Sequence, residues 1–188
     1  MSDESQAHEL RMETDRELLL RLSKGERTAF DAVFERHRSG LYSFLFRLCR
    51  DRSTAEDLFQ ETWLRLARGA ASLPSDTPIG PWLFRVARNL AVSHHRRVSL
   101  YSKLEGFLRP TPLATPHERA ETVEVTGRVE RAVHDLPLRD REVILLVVVE
   151  GMSAKEAGLV LGISAEATRQ RLSRARSALK EQLADLEV

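Results

Sequence analysis

The order of apolar and polar positions along this chain is that of a helical protein. From Asp15, Leu18, Leu19 and Leu22 recur at helical spacing and stop near Gly25. Phe30, Val33 and Phe34 mark a second stretch, and Leu41, Leu45 and Leu48 continue the period with Tyr42, Phe44 and Phe46 between them. Ser53-Thr54-Ala55-Glu56 reads as a capping box that opens a helix through Leu58, Trp63, Leu64 and Leu66 to Gly69. Residues 70–81 hold Pro74, Pro78, Gly80 and Pro81 and read as a loop. An apolar, arginine-studded helix follows from Pro81 to Arg97, carrying Trp82, Leu83, Val86, Leu90 and Val92. The period then fades over 98–115, which contains Pro110 and Pro112 and reads as a flexible linker. Thr115-Pro116-His117-Glu118 is a further capping box with proline at the first helical position, and the helix it opens ends at Pro137.

The run Val143–Val149 is strand-like by propensity. No other segment reads as a strand that could pair with it, and its flanks carry charges that suit a helix. It is therefore expected to be a buried helix, ended by Gly151. The expected fold is all-α: two small helical domains joined by a flexible linker, with a disordered tail over 1–14, domains over 15–97 and 116–188, and the linker over 98–115.

The last segment carries the sharpest motif. Ser153-Ala154-Lys155-Glu156 caps a short helix holding Ala157, Val160 and Leu161. Gly162 breaks it, Ile163 is an apolar plug, and Ser164 can cap a second helix whose buried face is Leu172, Ala175 and Leu179. Arg169, Gln170, Arg171, Ser173, Arg174 and Arg176 project elsewhere from that helix. A short helix, a tight glycine turn and an Arg/Gln-rich helix form the helix-turn-helix layout, whose second helix enters the major groove. Arginine can bond guanine bidentately and glutamine adenine, while further arginines hold phosphates.

Two faces in the first domain are less specific. Asp57, Gln60 and Glu61 share one side of the 54–69 helix beside Phe59 and suit docking onto a basic partner. Arg85, Arg88, Asn89, Ser93, Arg96 and Arg97 make a mixed polar and basic side of the 81–97 helix. His94 and His95 are adjacent, so they point to different faces and form no metal site; no cofactor is expected.

Charge changes this picture in one respect. A net charge of +1 means that a DNA-binding face must be balanced by an acidic face elsewhere, so position matters more than the sum. No apolar run approaches the ~20 residues of a spanning helix, so no membrane insertion is expected. The polar, acidic N-terminus and the single cysteine, Cys49, suit a cytoplasmic protein. Cys49 itself is expected to be a buried, inert thiol. No catalytic triad, metal set or phosphate loop is visible, so the chain is not expected to be an enzyme.

Taken together, these segments resemble the extracytoplasmic-function group of the sigma-70 family of bacterial RNA polymerase sigma factors. Ala55–Leu66 looks like the family's second conserved region, and Trp82–Leu90 like the segment that faces the −10 element. Leu136–Val143, Glu150–Ser153 and Arg171–Arg176 look like the fourth region. The resemblance covers roughly residues 15–183. It implies that Asp57, Gln60 and Glu61 dock on the clamp helices of core polymerase. It further implies that Asn89, with the loop around Leu73–Thr77 and its Ser75 and Asp76, receives an unstacked −10 base while nearby arginines hold the backbone. The helix from Ser164 would read the −35 element. Promoter DNA, core polymerase and an anti-sigma factor are the implied partners. A linker of about 18 residues could span up to ~60 Å if extended, more than the ~34–36 Å of one DNA turn. Three departures from the pattern stand out: Ser93 where an acidic or amide residue is common, Thr168 for a usual apolar residue, and Pro78, Gly80 and Pro81 in the −10 loop. Promoter preference therefore does not transfer from relatives. The rival reading is a stand-alone helix-turn-helix regulator that binds DNA unaided.

Overall fold

The computed structural model describes residues 13–105 and 124–184, with side chains over 13–100 and 127–184. The described elements are helical throughout. The first unit holds α1 (Asp15–Ser23), α2 (Arg27–Cys49), α3 (Arg52–Gly69), a 3-10 turn (Ala70–Ser72) and α4 (Ile79–Glu105). The second holds α5 (Glu124–Asp135), α6 (Leu138–Ile144), a π turn (Leu145–Val149), α7 (Ala154–Leu161) and α8 (Ala165–Gln182). No described helix is long and apolar enough to cross a membrane.

Helix boundaries follow local capping chemistry, and several differ from the sequence expectation. Thr14, placed in the tail, is the N-cap of α1: its Oγ1 accepts from the Glu17 amide at 3.3 Å and Glu17 accepts from the Thr14 amide at 2.8 Å. Helix α3 starts earlier than Ser53, because Asp51 caps it by accepting from the Thr54 amide at 2.6 Å. Glu56 does not fold back onto Ser53; Arg52 takes it at 2.8 Å. Gly80 and Pro81 belong to the first turn of α4 rather than to the loop, since proline there gives up only an amide that has no helical partner. At its other end α4 runs on to Glu105, so 98–105 is helix and not linker. The capping box at 115–118 lies outside the described residues.

The apolar run at 143–149 is helical, with one widened turn. The Glu150 amide donates to the Leu145 carbonyl at 2.9 Å, and the chain leaves through Gly151 at φ 68°. Val143, Ile144, Leu145 and Leu146 point inward, whereas Val148 and Val149 are exposed. Crowding of β-branched side chains against the preceding turn is one reason for a helix to widen there.

The two units dock. Core residues of α2 and α4 and core residues of α6, the π turn and α7 form one continuous apolar cluster. Helix α7 packs along α4, and α6 and the π turn lie against α2. Two neighbouring side chains of α6 fasten the contact. Arg141 donates to the Leu48 carbonyl at the end of α2 at 3.2 Å, and Glu142 accepts from Arg88 of α4 at 2.9 and 3.2 Å.

Candidate nucleic-acid interface

Helix α3 buries Ala55, Leu58, Thr62, Trp63 and Leu66, which turns Asp57 and Gln60 into solvent. Glu61 is half-buried, and Arg65 one turn on donates to it at 2.9 Å. The three expected residues therefore share a face, with one carboxylate already balanced. Phe59 is not a free neighbour of that face. It packs edge-on to Phe34, Tyr42 and Trp63, with ring centroids 6.2, 5.7 and 5.9 Å away, and so belongs to the α2–α3 seam.

Helix α4 buries Leu83, Phe84, Ala87 and Ala91. That orientation exposes Arg85, Asn89, Ser93, Arg96 and Arg97 on the opposite side. Arg88 sits at the boundary. Its bidentate pair with Glu142 ties it to the second unit, and it also lies 3.4 Å from the Asn89 side-chain oxygen. Ser75 and Asp76 form the exposed tip of a turn closed by the Thr77 amide donating to the Pro74 carbonyl at 3.0 Å. Phe84 is core, packed edge-on to Phe44 at 5.4 Å, and Trp82 is half-buried against the same cluster.

The C-terminal pair forms as its spacing predicts. Ser153 and Glu156 make the reciprocal box at 3.2 and 2.9 Å. Gly162 takes φ 69°, and Ser164 accepts from the Ala167 amide at 3.1 Å. Ile163 is partly buried against the core as the plug. Thr168 is fully buried and donates its hydroxyl to the Ser164 carbonyl at 2.9 Å, so its polar atom is satisfied within its own helix. Gly158 was not singled out by the sequence. A Cβ there would stand 2.7 Å from the Ile163 carbonyl and 3.2 Å from the Thr168 hydroxyl, so glycine is what lets α7 and α8 approach. Its one sequence signal was a glycine inside a helix interior.

On α8, Arg169, Gln170, Ser173, Arg174 and Arg176 are exposed and Arg171 is half-buried. Glu166 holds the first two: Arg169 donates to it at 2.8 Å and Gln170 at 3.4 Å. Those bonds, chiefly the Arg169 pair, keep the Glu166 carboxyl below its ordinary range.

The structure also brings the two arginine faces together. A cleft of about 620 Å³ between the units is lined by Arg88, Val92, His95 and Arg96 from α4, by Arg139, Asp140 and Glu142 from α6 and by Arg171 and Arg174 from α8. Glu142 and Arg141 were not expected to matter; in the sequence they are two charges on the flank of an apolar run.

Comparison with known proteins agrees with this geometry unit by unit. The family described as Sigma-70 region 2 matches residues 33–100, and Sigma-70, region 4 matches residues 126–179. The RNA polymerase sigma factor CarQ of Myxococcus xanthus is 33% identical over 171 residues, covering 89% of this chain and 97% of that protein. The ECF RNA polymerase sigma factor SigM of Mycobacterium tuberculosis is 31% identical over 168 residues, covering 88% and 83%. Among solved structures, CnrH in complex with the cytosolic domain of CnrY superposes with a TM-score of 0.71 at 26% identity, over 93% of this chain and 99% of that one. RpoE of Bartonella quintana, solved with the anti-sigma factor NepR, shares the fold with a TM-score of 0.70 at 24% identity, over 82% and 96%.

Proposed function

The chain belongs to the extracytoplasmic-function group of the sigma-70 family and directs RNA polymerase to promoters, and from that premise we propose which of its surfaces does what. Asp57, Gln60 and Glu61 on α3 dock on core polymerase. Asn89, with the Ser75–Asp76 turn, receives a −10 base extruded from the stack, and Arg85, Arg88, Arg96 and Arg97 hold the single strand's phosphates with Ser93 among them. The α8 face from Ser164 through Arg169, Gln170, Arg171, Ser173, Arg174 and Arg176 reads the −35 duplex. The observation that carries this reading is that separately packed helices of one chain present an acid-and-amide face and two arginine faces. Such a chain supplies placement while the polymerase supplies chemistry, so the protein itself is not an enzyme and works where the polymerase works, in the cytoplasm.

Placement here has a definite physical content. Each contact alone is weak, but tethering two readers to one polymerase raises the effective concentration of the second once the first is engaged. Flipping a −10 base costs a few kcal/mol. With Phe84 in the core and Trp82 half-buried, few aromatics remain to offset that cost, which favours strict promoter choice. An inhibitor of the anti-sigma kind is the regulator we propose, because RpoE of the same fold is solved with the anti-sigma factor NepR and CnrH with the cytosolic domain of CnrY. No observation favours a stand-alone regulator, for which the α3 face would have no role.

In vitro transcription with purified core polymerase, with and without the chain, tests the assignment. Specific transcripts are expected only with it. Reversing Asp57 and Glu61 to lysine should abolish co-elution with core while helicity stays intact; undiminished co-elution of that variant removes the α3 role.

A further inference from the structure

A lone guanidinium on a surface is well served by water, but several that converge on one cleft repel each other and call for counter-charge. Arg88 and Arg96 of α4, Arg139 of α6 and Arg171 and Arg174 of α8 all line the cleft between the units. Of these only Arg88 is paired, with the buried Glu142 at 2.9 Å. The other four make no ion pair with any described residue. Asp140 is the one further acid in the lining, so five guanidiniums against two carboxylates leave a surplus of three positive charges. A concave wall of one sign between packed helices focuses its field and concentrates counter-ions. Guanidinium forks match phosphate oxygens in geometry as well as in charge. The rest of the lining adds a second requirement. Val92 of α4 and Pro137 and Leu138 at the start of α6 also face this space, so part of its wall is apolar. The volume, about 620 Å³, is that of a small-molecule site. Adjacent phosphates at the arginines and a flat ring against the apolar wall describe a nucleotide. An inorganic anion would leave that wall bare, and a single phosphate would meet few of the forks.

We propose that this cleft is a binding site for a nucleoside triphosphate, with its phosphates spread among the unpaired arginines of the two units and its base against Val92, Pro137 and Leu138. The site itself is read from the cleft. The choice of a triphosphate among nucleotides rests on the assignment of the chain to a polymerase, whose substrates these are. Each phosphate oxygen that takes a guanidinium relieves repulsion between neighbouring arginines as well as forming a bond of its own. A bound triphosphate touches α4, α6 and α8 at once, so it joins the second unit to the first, and the stability of the folded chain rises with its concentration. Asp140 works against the ligand, because it places a negative charge beside Arg139 in the same lining.

The test is calorimetric titration of the full chain with ATP at about 0.15 M salt, where general charge attraction is screened. One saturable site per chain is expected, with a thermal midpoint that rises as ATP is added. Adenosine should not bind, and inorganic tripolyphosphate should bind severalfold more weakly than ATP. Arg139→Gln in the second unit and, separately, Arg96→Gln in the first should each weaken ATP binding by about tenfold or more, the worth of a hydrogen bond to a charged group. Asp140→Asn should tighten binding, an outcome that misfolding does not produce. Arg27→Gln removes a charge from α2 whose side chain is 93% exposed and lies outside the cleft, and it should leave the affinity as it is. Binding that does not saturate, or affinity unchanged in Arg139→Gln or in Arg96→Gln, overturns the site. A loss in Arg27→Gln as large as in Arg139→Gln overturns it too, because the attraction is then general. Tripolyphosphate that binds as tightly as ATP overturns the nucleotide and gives the cleft to an inorganic polyphosphate. A chain that fails to support transcription with core polymerase refutes the proposed function instead, and the titration still decides the site.

Discussion

Cys49 shows how a single residue's surroundings set its chemistry. It ends α2 half-buried, beside Asp51 and near Arg141. Burial, helped by the Asp51 charge and opposed by Arg141, pushes its thiol from an ordinary 9.0 up to about 11. A raised folded value means that the protonated thiol helps hold the fold below pH 9.0, and that this contribution is lost as the pH climbs through about 11. The thiolate is the reactive form, so at pH 8 a maleimide should label the folded chain on the order of a hundredfold more slowly than the urea-unfolded chain. Equal rates would mean that the α2 end is open. The buried, inert thiol expected from the preference of free cysteine for burial is thus found as a half-buried one, and its inertness comes from burial and the Asp51 charge. Gly158 is the opposite case. Its role depends on an atom of Ile163 in the next turn, and a glycine inside a helix was the one local sign of it.

At the scale of elements, capping and period explain most of what was legible. The Ser153–Glu156 box, the Gly162 break and the Ser164 cap are relations among residues three or four apart, so they are present in the chain before any tertiary contact forms. The Ser53 cap failed because Asp51, two residues earlier, reaches the Thr54 amide first. The 138–150 run became a helix against its propensity because its inward side meets α2 and α7, and a strand would have found no partner among the described elements. Helix α8 divides its arginines in a way that can be measured. Arg174 lies on the cleft side, while Arg176 lies outside the cleft lining. Arg174→Ala should cost ~1–3 kcal/mol at one base position and relax preference there. Arg176→Ala should weaken binding evenly across sequences. Scoring both against a library of −35 variants decides it, and an unchanged preference profile for Arg174→Ala rules out base reading by that residue.

At the scale of the whole molecule, docking joins two units that the sequence separates. Both tryptophans, Trp63 and Trp82, belong to the first unit, whereas helicity reports on both. With a continuous apolar core across the interface, urea unfolding followed by fluorescence and by circular dichroism should give superimposable curves, the sign of one cooperative transition. Two separated transitions would show that the units fold independently and that the interface adds little.

The sequence alone determined most of the helices, their amphipathic faces, the helix-turn-helix and the division into two units, because these depend on side chains within a few residues of one another; the 138–150 run is the exception. It also marked out the acidic side of α3 and the basic sides of α4 and α8, since a helical period decides which residues share a face. What only the tertiary structure decided is which of those charges remain available. Arg88 looks the same as Arg85 and Arg96 in the sequence, and Glu142 looks like any flanking acid. They meet across 54 positions of chain because α6 and α4 bury their apolar sides against a common core, and burial of that kind converts two surface charges into a bond.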